Sequence, residues 1–220
     1  MLGRGVKIRK LLLNIKIGIL IFVFQLPLCL LAQQHFVGSF DLVSEQTYKN
    51  GNVRHDTLNY SFEVDKTIMT IRARGNQPDM KMIFDFADST IKTEFVMRGK
   101  PGGYTLPMNL EYWPGMNRSA SKEHTDIDKS LESREIEGID VYKVVASSND
   151  YDAELWVTDK YNLSMLQVLS YQSVGKGKSK KELELFEKFK LYNLPLIMKL
   201  ESKNGKADVM IRLINFSEVD

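Results

Sequence analysis

The sequence predicts an α+β domain of about nine antiparallel strands with two helices inserted late in the chain. Three observations predict it. Apolar and polar residues alternate with period two over most of 35–216, the spacing at which side chains take opposite faces of a strand. Asn-Gly pairs at 50–51 and 204–205 stand between such runs, and Asn-Gly is the strongest short hairpin signal. Helical spacing is confined to 160–172 and to a stretch opening near Ser179.

Taken in order, 35–48 and 53–64 pair around Lys49-Asn50-Gly51-Asn52. Val64-Asp65-Lys66-Thr67 turns into 67–74, where Met69, Ile71 and Ala73 share a face opposite Arg72 and Arg74. Another turn spans 75–79. In 80–86, Met80, Met82, Phe84 and Phe86 alternate with Lys81 and Asp85; in 90–98, Ile91, Thr93, Phe95 and Met97 alternate with Lys92, Glu94 and Arg98. These five runs read as a meander. The stretch 99–133 reads as a long loop, carrying Pro101-Gly102-Gly103, Pro107 and Pro114-Gly115. Its Tyr104, Leu106, Met108, Tyr112, Trp113 and Met116 either pin it to the core or make it a lid over a cavity.

Strands resume at 134–147 and 153–158. Residues 160–172 read as a helix, with Leu163, Met165, Leu166 and Leu169 near one face. Ser179 and Glu182 make a capping box for a second helix that turns Leu183, Leu185, Phe186 and Phe189 inward. The chain closes with a hairpin of 195–202 and 207–216 around Lys203-Asn204-Gly205-Lys206.

The first 32 residues read as a secretory signal. Arg4, Lys7, Arg9, Lys10 and Lys16 precede the apolar run 17–24, and cleavage is expected after Ala32. Lys16 and Pro27 leave too few consecutive apolar residues for a span of about 20. Cys29 suggests a lipoprotein anchor, but the bulky Leu28 before it argues against lipidation. The expected location is the periplasm or cell envelope, with peripheral contact to the outer membrane left open.

This segment holds five bases and no acid, so the remainder carries 25 basic against 28 acidic residues of the chain's 30 and 28. The pI of 8.5 therefore belongs largely to the signal. A net negative domain has no electrostatic case for nucleic acid, whose binding depends on neutralised phosphates. Cys29 is the only cysteine, which excludes disulfides, thiol nucleophiles and cysteine metal sites downstream of it. The domain from 33 to 220 must therefore be held by its core, which a chain of this length can bury.

No motif carries catalytic or metal chemistry. His35, His55 and His124 are unpaired at any helical or strand spacing. Asp126, Asp128 and Glu132 suggest a calcium loop, but Leu131 stands where the sharp turn needs Gly. Asp150, Asp152 and Glu154 share one face at a strand entrance, as a solvated edge would. Gly177-Lys178-Ser179 lacks the earlier glycine of a phosphate loop, since Gln172 holds that place. Its flanking lysines fit a connector or a weak contact with anionic headgroups. There is no Gly-x-Ser-x-Gly elbow. No enzymatic activity, cofactor or metal is expected.

What remains is a soft apolar face. Met80, Met82 and Met97 join Phe84, Phe86 and Phe95 on adjoining strands, and methionine is over-used where a surface accepts varied apolar partners. They serve either as core beneath the helices or as the lining of a hollow that the helices leave partly open, with Trp113 and Met116 on its lid.

The stretch 134–163 resembles a known family. Arg134-Glu135-Ile136-Glu137-Gly138-Ile139-Asp140-Val141-Tyr142-Lys143, then Ala153-Glu154-Leu155-Trp156-Val157-Thr158-Asp159 and Leu163, is similar to the uncharacterised exported bacterial family called domain of unknown function 4412. There a Gly-aromatic turn starts a strand, and a Trp-x-Thr strand follows before a short helix. Leu194-Pro195-Leu196 with its Asn-Gly hairpin also fits. The chain departs at Val141, where the family often has cysteine, and at Ile139, which replaces the usual aromatic. Such proteins look like relatives of the LolA and LolB lipoprotein carriers, an open antiparallel half-barrel curving around helices with an apolar hollow. The resemblance implies handling of a lipid or lipoprotein acyl chain, with Met80, Met82, Phe84, Phe86, Phe95, Met97, Trp113, Met116 and Trp156 as the expected lining; an envelope scaffold with a filled core is the alternative.

Overall fold

In the computed structural model, the residues described are 36–72, 78–116, 129–147, 150–175 and 193–219. The signal reading, His35, His124, Asp126, Asp128 and the Ser179 helix lie outside them. The described residues fall within one compact unit.

Eleven strands form one sheet: β1 (Gly38–Thr47), β2 (Val53–Phe62), β3 (Lys66–Ile71), β4 (Met80–Asp85), β5 (Thr90–Met97), β6 (Lys100–Pro107), β7 (Lys129–Ile136), β8 (Ile139–Ser147), β9 (Tyr151–Thr158), β10 (Leu194–Ser202) and β11 (Asp208–Glu218). Their order is β6-β5-β4-β3-β2-β1-β11-β10-β9-β8-β7, so two meanders meet where the first strand pairs with the last. Among the described residues every ladder is antiparallel, and β6 and β7 stand at the two ends of the order. The β1–β11 seam is tight. A side chain at Gly38 would place its Cβ 2.2 Å from the Ser217 carbonyl oxygen, and its φ of +155° also favours glycine.

The predicted count of nine is corrected to eleven, and both extra strands come from the same chemistry. Arg98-Gly99 has φ values of 52° and 75°, and Glu137-Gly138 has 53° and 74°. Two consecutive left-handed residues make the tight hairpin turn whose twist suits antiparallel strands. The first turn folds 100–107 back onto β5, so the expected loop over 99–133 begins as a strand and 129–133 belongs to another. The second turn splits 134–147 into β7 and β8.

At the β6 edge the Met108 N–H donates to Ser89 O at 2.9 Å. Continuing that alternation, Leu106, Tyr104 and Gly102 bond to β5, while Pro101, Gly103, Thr105 and Pro107 face away. Proline stands where no ladder bond is needed and where it removes donors from the free edge.

Register defines the buried face. Phe40, Tyr60, Met69, Met82 and Thr93 are cross-strand neighbours, as are Phe62, Thr67, Phe84, Ile91 and Leu106. On the other half Leu42 meets Leu213, and Ile211, Met198, Leu155 and Val144 follow in register. Nearly all are buried, with Phe40, Tyr60, Phe84, Ile91, Leu155 and Met198 fully so. Each such side chain contributes up to about 1.5–3 kcal/mol of transfer free energy.

Helix α1 (Met165–Ser170) crosses this face and runs into a 3₁₀ turn, Tyr171–Ser173. It is shorter than the predicted 160–172. Ser164, in extended conformation, caps it by accepting the Gln167 N–H, so the helix starts after that residue. Met165, Leu166 and Val168 are buried beneath it as expected of an amphipathic face.

Candidate cleft beneath the Trp113 strap

The site is built where the β4–β5 turn, the chain after β6 and α1 converge. After β6, the Asn109 side-chain oxygen accepts the N–H of Glu111 (3.0 Å) and of Tyr112 (3.2 Å), and Asn109 O accepts that of Trp113 at 2.8 Å. This Asx turn aims the indole at the sheet. Trp113 Nε1 then donates to Ser170 O at 2.8 Å, Gly115 N to Ser173 Oγ at 3.1 Å, and Gly175 N to Tyr112 O at 2.8 Å.

Residues 112–116 thus form a strap tied to the end of α1. The tie requires glycine: a Cβ at Gly115 would lie 2.7 Å from both Ser170 Cβ and Ser173 Oγ.

Under the strap lies an aromatic stack. Trp113 sits 5.4 Å from Tyr171 and 5.0 Å from Phe84, and Tyr171 sits 4.7 Å from Phe84. Tyr171 accepts a hydrogen bond from Thr67 Oγ1 at 3.1 Å, and Gln172 donates to the Tyr60 hydroxyl at 3.0 Å. Burial pushes both phenols above their ordinary range; the Gln172 bond at Tyr60, and the Thr67 and Gln167 bonds at Tyr171, only partly offset it.

Beside the stack is a cleft of about 260 Å³, open to solvent. Phe86, Met108, Trp113 and Met116 form its apolar side; Gly115, Gln167, Ser170 and Tyr171 form the other. Among the described residues, none that lines it is charged. Its size is just below that of common small-molecule pockets, which begin near roughly 300 Å³.

The nine predicted residues divide accordingly. Phe86, Trp113 and Met116 line the cleft. Met82 and Phe84 are packed in the core, 6% and 0% exposed, because Tyr171 and Trp113 occupy the centre of the face. Met80 and Phe95 are half-buried cross-strand neighbours farther along β4 and β5, and the Phe95 ring lies against Gly102. Met97, 56% exposed, is at the β5–β6 turn, about 20 Å from the cleft end of its strand.

Trp156 does not line this cleft. Its neighbour Leu155 shares the buried face with Met198, so Trp156 takes the opposite one, 3.8 Å beneath the Arg134 guanidinium. Sequence reasoning missed Gln167, Ser170 and Tyr171 because 160–172 was read for its leucines. Met108 was legible among the residues punctuating the loop.

Elsewhere, several charges are paired. Lys203 Nζ lies 2.7 Å from Asp152, and Lys206 pairs with Asp150, so the acidic strand entrance is neutralised from the β10–β11 turn. His55 stands 3.5 Å from Glu45. Among the described residues no group of three or more His, Cys, Asp or Glu could hold a metal ion, and no helix is long and apolar enough to cross a membrane. Asp85, its side chain 5% exposed, accepts the Asp88 N–H at 3.2 Å and lies 3.5 and 3.6 Å from Lys66 and Lys92; these hold its carboxyl below the usual range.

No family model matches the chain, and no curated protein does. Solved structures give loose likenesses. PNGF-II matches at 13% identity and a TM-score of 0.35, over 84% of this chain, which spans only 29% of that one. An uncharacterized conserved protein from Thermus thermophilus matches at 9% and 0.35, over 83% of this chain and 79% of that one. A LolA superfamily protein from Nitrosomonas europaea matches at 12% and 0.24, over 84% and 87%. At TM-scores this low the likenesses add nothing to the architecture that strand register already defines.

Proposed function

We propose that this is a non-enzymatic, exported envelope protein that binds an apolar ligand, such as one acyl chain of a lipid or lipoprotein, in the cleft beneath the Trp113 strap. The observation that carries the reading is the cleft's lining: Phe86, Met108, Trp113 and Met116 border a solvent-open space whose described lining holds no charged residue, and Phe86 remains 42% exposed. The basic-then-apolar N-terminal segment supports export. The space suits a length of chain rather than a whole lipid, so a headgroup would stay in water.

The chain's two tryptophans make the test direct. In a Trp156→Phe variant, Trp113 is the only indole, and dibromostearate seated in the cleft quenches it by contact. Saturable quenching is expected; unquenched Trp113 at the solubility limit of the probe overturns the reading. The filled centre of the sheet beneath Tyr171 favours a second reading, an envelope scaffold or protein-interaction domain. It predicts no quenching and no lipid in mass spectra of gently purified protein.

A further inference from the structure

We infer that Met108 and Met116 form an oxidation site that closes the cleft to apolar ligands, a step that rests on the ligand-binding reading above. With Cys29 the only cysteine, the sequence from residue 36 onward has no thiol, and its methionine thioethers are the oxidisable sulfur. They are not equally placed. Met69, Met165 and Met198 are at most 1% exposed, and Met82 is 6% exposed. Met108 and Met116 are half-buried and line the solvent-open cleft together with Trp113, so an oxidant small enough to enter reaches both from one side.

The oxidant is a hydroperoxide. A sulfur lone pair attacks one peroxide oxygen, the O–O bond breaks and an S–O bond forms; the departing oxygen takes up the proton and leaves as water or alcohol. Sulfur loses two electrons and the peroxide gains them.

The product matters because of where it lies. A sulfoxide replaces a soft apolar edge with a strong dipole. A chain seated there would strip that dipole of water, and the polar groups nearby are already engaged: Ser170 Oγ donates to Gln167 O at 2.7 Å, and Ser173 Oγ donates to Ser170 O at 2.6 Å. Ligand affinity should fall about tenfold, the scale set by burying one unpaired polar group. Met97, exposed and remote from the cleft, is an internal control for oxidation without consequence.

The experiment treats the purified Trp156→Phe chain with hydrogen peroxide, follows each methionine by peptide mass spectrometry, and titrates dibromostearate before and after. Met108 and Met116 should convert before Met69, Met165 and Met198, with affinity falling in step. In a Met108→Leu, Met116→Leu variant, affinity should not change on treatment, whatever its starting value. Three results overturn the inference: Met108 and Met116 unreacted once Met97 is fully converted, undiminished affinity with both oxidised, or an equal loss in the double variant. If the untreated chain binds no probe, the ligand reading fails by itself. Trp113 emission then decides the cleft chemistry: a red shift on oxidation, absent from the double variant, sustains the oxidation site, and no shift removes it.

Discussion

Replacing Gly115 by Ala tests the strap that shapes the cleft. The new Cβ would sit 2.7 Å from Ser170 Cβ, 2.7 Å from Ser173 Oγ and 2.9 Å from Ser170 Cα, and α1 cannot retreat because Met165 and Val168 beneath it are fully buried. The strap must therefore lift. Overpacking of this kind costs about 1–3 kcal/mol. Lifting also strains the bonds from Gly115 N to Ser173 Oγ and from Trp113 Nε1 to Ser170 O, each worth about 1 kcal/mol net. A loss of about 3 kcal/mol should lower Tm by roughly 6–12 °C in a domain of this size. Circular dichroism melts give the stability, and Trp113 emission in a Trp156→Phe background should move to the red as the indole, now 4% exposed, meets water. A Tm within about 2 °C of the parent, with unmoved emission, would refute the idea that the strap is held by that contact.

Three further outcomes follow from the same structure. Gly38→Ala should cost about 3 kcal/mol, from a Cβ 2.2 Å from Ser217 O and an unfavourable φ, and urea unfolding measures it; an unchanged midpoint would mean the β1–β11 seam is loose. Asp85 has its folded-state pKa depressed, first by the Asp88 N–H and then by Lys66 and Lys92. Its contribution is therefore present above the unfolded value of about 3.9 and is lost as pH falls below it. Asp85→Asn should be less stable at pH 7 and should show a flatter acid limb, read by unfolding at several pH values. Tyr60 and Tyr171 have raised values, so stability should fall as pH rises above about 10, where the unfolded phenols ionise and the folded ones do not. Ultraviolet titration should find Tyr60 and Tyr171 among the late-ionising phenols, and Tyr60→Phe should remove one of them.

Much of the sheet was legible. The strands around Asn50-Gly51 and Asn204-Gly205 pair as read, with Gly51 and Gly205 but neither asparagine at positive φ, and Met80, Met82, Phe84, Ile91, Thr93 and Phe95 share a face because side chains alternate on a pleated strand whatever surrounds it. Strand β6 was hidden because Pro101, Gly102, Gly103 and Pro107 are turn residues by composition. They suit an edge only when the register puts both prolines on the unbonded side. The Arg98-Gly99 turn was missed, and the Glu137-Gly138 turn was legible only through the family resemblance, because the first residue of each is a weak turn former, tolerated in left-handed backbone by the pairing around it.

By itself, then, the sequence determined the local terms: a period-two sheet, a charged and apolar N-terminus, a domain without cysteine, and a face of methionine and phenylalanine. Which of those side chains meet solvent was decided by tertiary structure. Burial depends on what crosses the face, and the pairing of β1 with β11, the cap at Ser164 and the close approach of Gly115 to Ser170 bring Tyr171 and Trp113 over its centre. That placement fills the middle with Phe84 and Met82 and leaves the cleft at Phe86, Met108 and Met116, because two aromatic rings from segments about 57 residues apart must first find each other.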